Sequence, residues 1–219
     1  MLELYHSGLT TCSKQARLTL REKGVDYVTR YVELWNFENL NPEYIKLNPH
    51  GVVPTLVHDG VPIHNAVAIM EYVEDAFPGP ALRPADLKAR SIMRAWMAFS
   101  DETHHSVITT TYNAMLRAQM EMLEKDEVEK IIAASPMPER AERWRKAAMG
   151  GDDEHVLAAA AANLTFAIGR MEKDLAAGGP WIVGEDYSLA DISLLSIVHR
   201  IRELRPDLAE PGDYPAVND

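Results

Sequence analysis

The stretch NPHGVVPTLVHDGVPI, residues 48–63, decides the fold. Val52, Val53, Thr55, Leu56 and Val57 favour an extended strand, Asp59 and Gly60 supply the tight turn of a hairpin, and Val61–Ile63 returns. Pro54 stands inside this strand signal, where it has no N–H to give to a ladder. With a trans bond it would be a defect in a central strand. A cis bond would turn the N–H and C=O of Val53 toward an open edge, where they could pair with an extended peptide ligand.

Working outward, Leu2–Tyr5 reads as a first strand, Gly8 opens a turn, and a helix is expected from Ser13, with Ala16 and Leu20 on its apolar face and Gly24 as its stop. Tyr27–Leu34 is a second strand candidate and Asn39–Leu47 a weak helix. After the hairpin, Ala66, Ile69, Met70 and Val73 mark a third helix ending near Pro78. The order β-α-β-α-β-β-α over residues 1–77 predicts a small mixed sheet covered by helices.

Residues 78–87, PGPALRPADL, suit a linker or turn-rich junction. Beyond it, residues 88–219 read as helical. A long segment runs from Lys88 to Met122, bent near the β-branched ITTTYN cluster. Glu139–Met149 and Asp152–Leu175 follow as helices, with Gly150–Gly151 between them. In YSLADISLLSIV, Ser188 and Asp191 form the acidic version of a capping box that opens a last helix to about Arg202. The fold class expected is an α/β domain followed by an all-α domain.

Composition narrows the function. The 219 residues hold 22 Lys+Arg against 33 Asp+Glu, a formal charge of -11, with no basic run, which argues against nucleic acid. No apolar run approaches the ~20 residues of a membrane-spanning helix, and MLELYHSG has no pattern of a secretory signal. The single cysteine excludes an intrachain disulfide and suits a reducing cytosol, so a cytoplasmic location is expected.

That cysteine sits in GLTTCSKQARLTL, residues 8–20, among three hydroxyls. Two readings stand for Cys12. It is a small buried hydrophobe, or it is a thiolate stabilised by the first amides of a helix and by Lys14 and Arg17, with a pKa below the usual ~8.5. Thr10, Thr11 and Ser13 are likewise turn and capping residues, Ser13 being a good N-cap, or hydroxyl donors to a bound thiolate. His104 and His105, with Asp101 and Glu102, form the one local cluster of metal-ligand types. Adjacent helical positions diverge, however, so no metal site is expected. Trp96, Met97, Ser100, His104, Val107, Thr111 and Tyr112 would share one face of the long helix, as core or as pocket wall.

Taken together, GLTTCSKQARLTLREKG, NPHGVVPTL, IHNAVAIMEYVED and WIVGEDYSLADI resemble the soluble glutathione transferases from Leu2 to about Arg202. The first stretch, with IIAASPMPERAERWRK at residues 131–146, is similar to the bacterial branch of β-aryl ether-cleaving enzymes and the tetrachlorohydroquinone reductive dehalogenase. The resemblance implies a thioredoxin-like N-terminal domain that binds glutathione, a helical substrate domain, and a homodimer. It further implies catalytic roles among Thr10, Thr11, Cys12 and Ser13, glutathione contacts at Val52, Val53, Pro54, Asn65, Ala66 and Asp101, and a substrate pocket of Leu9, Trp96, Ser100, His104, Val107, Thr111 and Tyr112.

Two departures from the family pattern stand out. Asn65-Ala66 occupies the place of a usual Glu-Ser, leaving the N–H groups of the third helix as the expected hold on a ligand carboxylate. A closing segment after the YPAV-type motif is expected to be missing. The function expected is a glutathione-dependent transferase or lyase acting on a small hydrophobic or aromatic electrophile. The alternatives are reductive dehalogenation or deglutathionylation through Cys12, and a non-catalytic binding or regulatory protein.

Overall fold

The computed structural model describes residues 1–8 and 10–218. Its first part contains β1 (Leu2–His6), α1 (Thr11–Glu22), β2 (Val28–Tyr31), α2 (Pro42–Leu47), β3 (Thr55–His58), β4 (Val61–His64) and α3 (Ala66–Ala76). The strands lie in the order β2-β1-β3-β4, with β1 and β2 parallel and the other two pairs antiparallel. Leu4 pairs with Leu56 across the centre of the sheet. Both pack with Leu2, Ala16, Leu20, Ile69 and Val73 in one apolar cluster, so β1 and β3 are sealed by α1 and α3.

Two local expectations change. The strand expected from Val52 starts only at Thr55, so Pro54 precedes the ladder and deprives it of nothing. The Val53–Pro54 bond is cis. Helix α1 begins at Thr11, and its N-cap is Thr10 rather than Ser13: Ser13 N donates to Thr10 Oγ1 at 3.1 Å. The cap residue needs extended backbone, which Thr10 has (φ -93°, ψ 140°), whereas Ser13 is already in the first turn.

The helical part contains α4 (Leu87–Thr111), a π-helical turn at Tyr112–Leu116, α5 (Arg117–Glu121), α6 (Lys125–Ala134), α7 (Pro138–Ala148), α8 (Glu154–Gly178), α9 (Leu189–Leu204) and α10 (Pro215–Asn218). At ITTTYN, where a bend was expected, the α-helical ladder ends at Thr111 and a wide π-helical turn follows. The capping box forms: Ser188 N donates to Asp191 Oδ2 at 2.8 Å and Ala190 N to Ser188 Oγ at 3.3 Å. Asp191 Oδ1 also accepts from Ile182 N, which fixes the preceding loop to the helix start.

The two parts are joined by a core in which Met70 meets Met93, Trp96, Met97, Leu189 and Ile192. Residues 78–87 lack regular structure until α4, yet they are anchored. Lys23 Nζ lies 3.0 Å from Glu74 Oε2, both side chains being under a tenth exposed, and donates to Pro80 O at 3.0 Å. Leu82 N donates to the same carboxylate, and Leu82 O accepts from Leu189 N. Fixing this crossing fixes the cleft between sheet and helices. Among the described residues no helix is long and apolar enough to cross a membrane.

Candidate active site

A cavity of about 460 Å³ opens where the N-terminus of α1 and the segment before β3 face α4, the π-helical turn and α7. Thr10, Thr11 and Cys12 line it from one side, and Val52, Val53, Pro54, Asn65 and Ala66 continue the same wall. Among the described residues, Val53 N–H and C=O make no hydrogen bond, so the backbone just before β3 offers an unused donor and acceptor. The preceding loop is rigid. Gly51 has φ +60°, and a Cβ there would lie 3.1 Å from Ile45 and 3.3 Å from the Asn39 carbonyl oxygen. Asn39 Nδ2 donates to Gly51 O, while Asn48 Nδ2 and the Tyr44 hydroxyl donate to Val52 O.

At the mouth of α1 the hydroxyls separate by role. Thr10 caps the helix and donates to Ser13 Oγ at 2.6 Å. Ser13 is fully buried, receives Ser7 N at 3.3 Å, and does not line the cavity. Ser13, expected among the catalytic residues, lies behind the cavity wall, bridging Thr10 and Ser7 beneath the cap. Thr11 lines the cavity, and its hydroxyl makes no hydrogen bond among the described residues.

Cys12 Sγ lies 3.4 Å from His104 Nε2. The lowered thiol pKa expected from the helix terminus is reversed. Burial at the cavity floor, reinforced by the Asp101 carboxylate, pushes the thiol up to about 12. The two basic groups invoked for it turn elsewhere: Lys14 Nζ approaches His199 Nδ1 at 2.7 Å, and Arg17 donates to Ser13 O and Gly8 O. Burial also drives His104 down to about 4, with Arg200 and Arg143 adding to the effect against Asp101. Thiol and imidazole therefore meet as two neutral groups.

The face drawn on the long helix divides in two. His104, Val107, Thr111 and Tyr112 line the cavity. Trp96 and Ser100 do not: Trp96 belongs to the interhelical core, and Ser100 Oγ donates to Ser193 O of α9. Helix α4 packs against α8 and α9 along its length, Met93, Trp96 and Met97 with Ala167, Met171 and Ile192, and Val107 with Leu164, Ile168 and Ile197, while its cavity-lining residues begin only at Asp101. Asp101 is exposed at the cavity edge. His105 turns away from His104, its Nδ1 toward Glu102 O. Leu9, assigned to the same pocket, lies outside the described residues. The third-helix amides expected to hold a carboxylate are engaged, since Asn65 Oδ1 accepts from Val67 N and Ala68 N at 2.9 and 3.2 Å.

Much of the opposite wall was invisible to pattern reading. Leu34, Trp35 and Phe37 come from the loop after β2, where Phe37 adopts left-handed backbone (φ 54°). Arg140, Arg143 and Trp144 come from one face of α7, where spacings of three and four residues bring side chains together. That spacing within PMPERAERWRK was the available signal.

The sheet order, the free backbone before β3 and a cleft shared with a helical bundle define a two-part class, an α/β domain joined to an all-α one. Models of the glutathione S-transferase N-terminal and C-terminal domains match residues 11–76 and 154–219. The chain belongs to the glutathione S-transferase family, within the branch that holds β-etherases and a reductive dehalogenase. It is 33% identical over 205 residues to the protein LigF of Sphingobium sp. strain SYK-6, covering 92% of this chain and 79% of that protein. The crystal structure of β-etherase LigF superposes with a TM-score of 0.94 over 99% of this chain and 91% of the other, at 30% identity. Tetrachloro-p-hydroquinone reductive dehalogenase of Sphingobium chlorophenolicum is 29% identical over 211 residues, covering 93% of this chain and 84% of that enzyme.

Proposed function

We propose that the protein is a glutathione-dependent transferase or lyase that directs the glutathione thiolate at an aromatic electrophile, by ether cleavage or conjugation. One observation carries this reading: a single cavity joins an unpaired peptide-binding backbone at Val53 and an unengaged Thr11 hydroxyl to a wall of Phe37, Trp144, Met115 and Leu116. The cysteinyl part of glutathione pairs with Val53, as an added strand pairs with a free edge. Its sulfur then lies at the first turn of α1, where amide N–H groups, the helix field and the Thr11 hydroxyl favour the thiolate over the thiol. The apolar wall holds the reacting carbon against it, so that proximity and charge stabilisation act together.

Cys12 is not the nucleophile in this scheme. A thiol held near 12 is almost wholly protonated at neutral pH, and glutathione brings the reacting sulfur. Asn65, with its carbonyl oxygen committed to α3, still presents an amide nitrogen to the cavity side in place of the family's usual carboxylate. The protein works in the cytoplasm as a homodimer, in which Ile63–Glu74 of one protomer meets Ile92–Asp101 of the other. Ile92 is exposed in the single chain, as such a contact requires. A monomeric mass by sedimentation at micromolar concentration would contradict the dimer.

The test of the chemistry is the turnover of 1-chloro-2,4-dinitrobenzene and of an aryl β-ether with glutathione. Thr11→Ala is expected to lower kcat by roughly 10²–10³, the cost of losing one donor to a developing or stabilised anion. Cys12→Ser should keep most of the activity. Full activity in both T10A and T11A, or loss of turnover in C12S together with a trapped Cys12–glutathione disulfide in the wild type, would replace the hydroxyl mechanism with the covalent one.

A further inference from the structure

The cavity carries a charge pattern that thiolate activation does not use. Acidic residues outnumber basic ones by 33 to 22 in the chain, yet the arginines lining the cavity number three, Arg140, Arg143 and Arg200, all from the helical part. The lining residues contributed before residue 77 include no Lys, Arg or His. Arg200 is committed to Glu203 at 3.0 Å. Among the described residues Arg140 and Arg143 form no ion pair, although Arg145 on the next face of the same helix pairs with Glu142. The carboxylates at the cavity, Asp101 and Glu139, are both exposed.

Arg140 is held in place rather than free to sweep. Its Nη1 donates to Gly51 O, its guanidinium lies 4.8 Å from the centre of the Trp144 ring, and its Nε is buried with no partner. Arg143 follows one turn later, and its charge is one of those that keep a proton off His104. Beside them Phe37 meets Trp144 edge-on at 5.6 Å, so the arginines border an aromatic surface.

We infer that Arg140 and Arg143 form a carboxylate subsite in the wall opposite the α1 terminus, for a ligand whose aromatic or extended body lies against Phe37 and Trp144. Guanidinium groups are suited to it because their planar fork matches a carboxylate with two parallel bonds. The inference rests on the glutathione reading only for where the second ligand lies. The carboxylate comes from one of two sources, an acidic substituent on the aromatic electrophile or the glycyl end of glutathione. Arg140, held on Gly51 O beside Val52 and Val53, borders the segment along which both would lie.

The test uses the full chain, without turnover. Binding of 4-phenoxybenzoate and of 4-phenoxybenzamide is followed through tryptophan fluorescence, since Trp35 and Trp144 line the cavity. The wild type should bind the acid roughly 10-fold or more tightly than the amide, and R140Q and R143Q should each remove that preference, as loss of a charge-assisted pair implies. In parallel, calorimetry compares glutathione with its glycyl ethyl ester on the same proteins. If glutathione weakens in the variants while the ester does not, the glycyl carboxylate is the occupant. If glutathione is unchanged, the occupant is the acidic electrophile. Equal wild-type affinity for acid and amide, together with unchanged glutathione affinity in both variants, overturns the subsite. Failure of the wild type to bind glutathione at all would instead overturn the proposed function, leaving the acid-against-amide comparison to decide the subsite by itself.

Discussion

Lys23 and Glu74 offer the sharpest test of how the cleft is built. Their side chains are 3% and 7% exposed, and their 3.0 Å contact is completed by Pro80 O on the lysine and Leu82 N on the carboxylate. Glu74→Gln keeps the shape and an acceptor for Leu82 N, but leaves a buried ammonium with one carbonyl. Removing one member of a buried pair costs about 3–5 kcal/mol, because the survivor has lost water as well as its partner. Lys23→Met should cost a similar amount for the mirrored reason. The double variant K23M/E74Q leaves no buried charge, only the neutral Pro80 C=O and the introduced amide N–H at roughly 1–3 kcal/mol each. It should therefore be no less stable than either single variant, giving a coupling on the order of 3 kcal/mol. Urea unfolding at one fixed protein concentration reads this directly. With m of about 2–3 kcal/mol/M, the single variants should lose 1–2 M in midpoint at unchanged m. Single-variant losses under ~1 kcal/mol, or a double variant that loses the sum of both, would refute the reasoning.

His104 predicts a pH dependence. Its folded pKa of about 4 lies below the ordinary 6.5 of a free imidazole, so the folded state resists the proton that the unfolded chain accepts. The stability from this residue is complete above pH 6.5 and is lost as pH falls through the window down to about 4. The loss is on the order of 3 kcal/mol. His104→Gln should flatten that window when denaturation midpoints are compared between pH 7 and pH 4.5, and parallel curves for both proteins would sink the account. Cys12, held up to about 12, should react with iodoacetamide at pH 8 on the order of 10³-fold more slowly than a free thiol, with Asp101→Asn faster than wild type. Alkylation at the free-thiol rate, followed by mass spectrometry, would contradict the burial assigned to it.

Local signals carried the sequence a long way. The β-α-β-α-β-β-α order was legible because each element announces itself within a few residues. Alternating Val and Leu mark the strands, Asp59-Gly60 supplies the left-handed turn, and Ser188 with Asp191 three positions on caps a helix. The wall of Thr10, Thr11, Cys12, Val52, Val53, Pro54, Asn65 and Ala66 comes from three short segments, and it was legible through the family resemblance those segments carry. His104, Val107, Thr111 and Tyr112 followed from helical spacing, but the same spacing placed Trp96 and Ser100 with them. Periodicity defines a face of a helix and does not say where along its length a cleft opens onto that face.

Tertiary structure alone settled three things. It decided which hydroxyl is free, because Thr10 and Ser13 satisfy each other across a cap that only the folded turn creates. Packing also set the sign of the Cys12 shift: the helix terminus favours a thiolate, but desolvation at the cavity floor and the nearby Asp101 outweigh it. And it brought Arg140, Arg143 and Trp144 of α7 over Gly51, nearly ninety residues earlier in the chain. Capping and turn formation act over a few residues and can be read from their spelling. Burial, and the charges a side chain meets once buried, depend on distant segments that become neighbours only when the chain has folded.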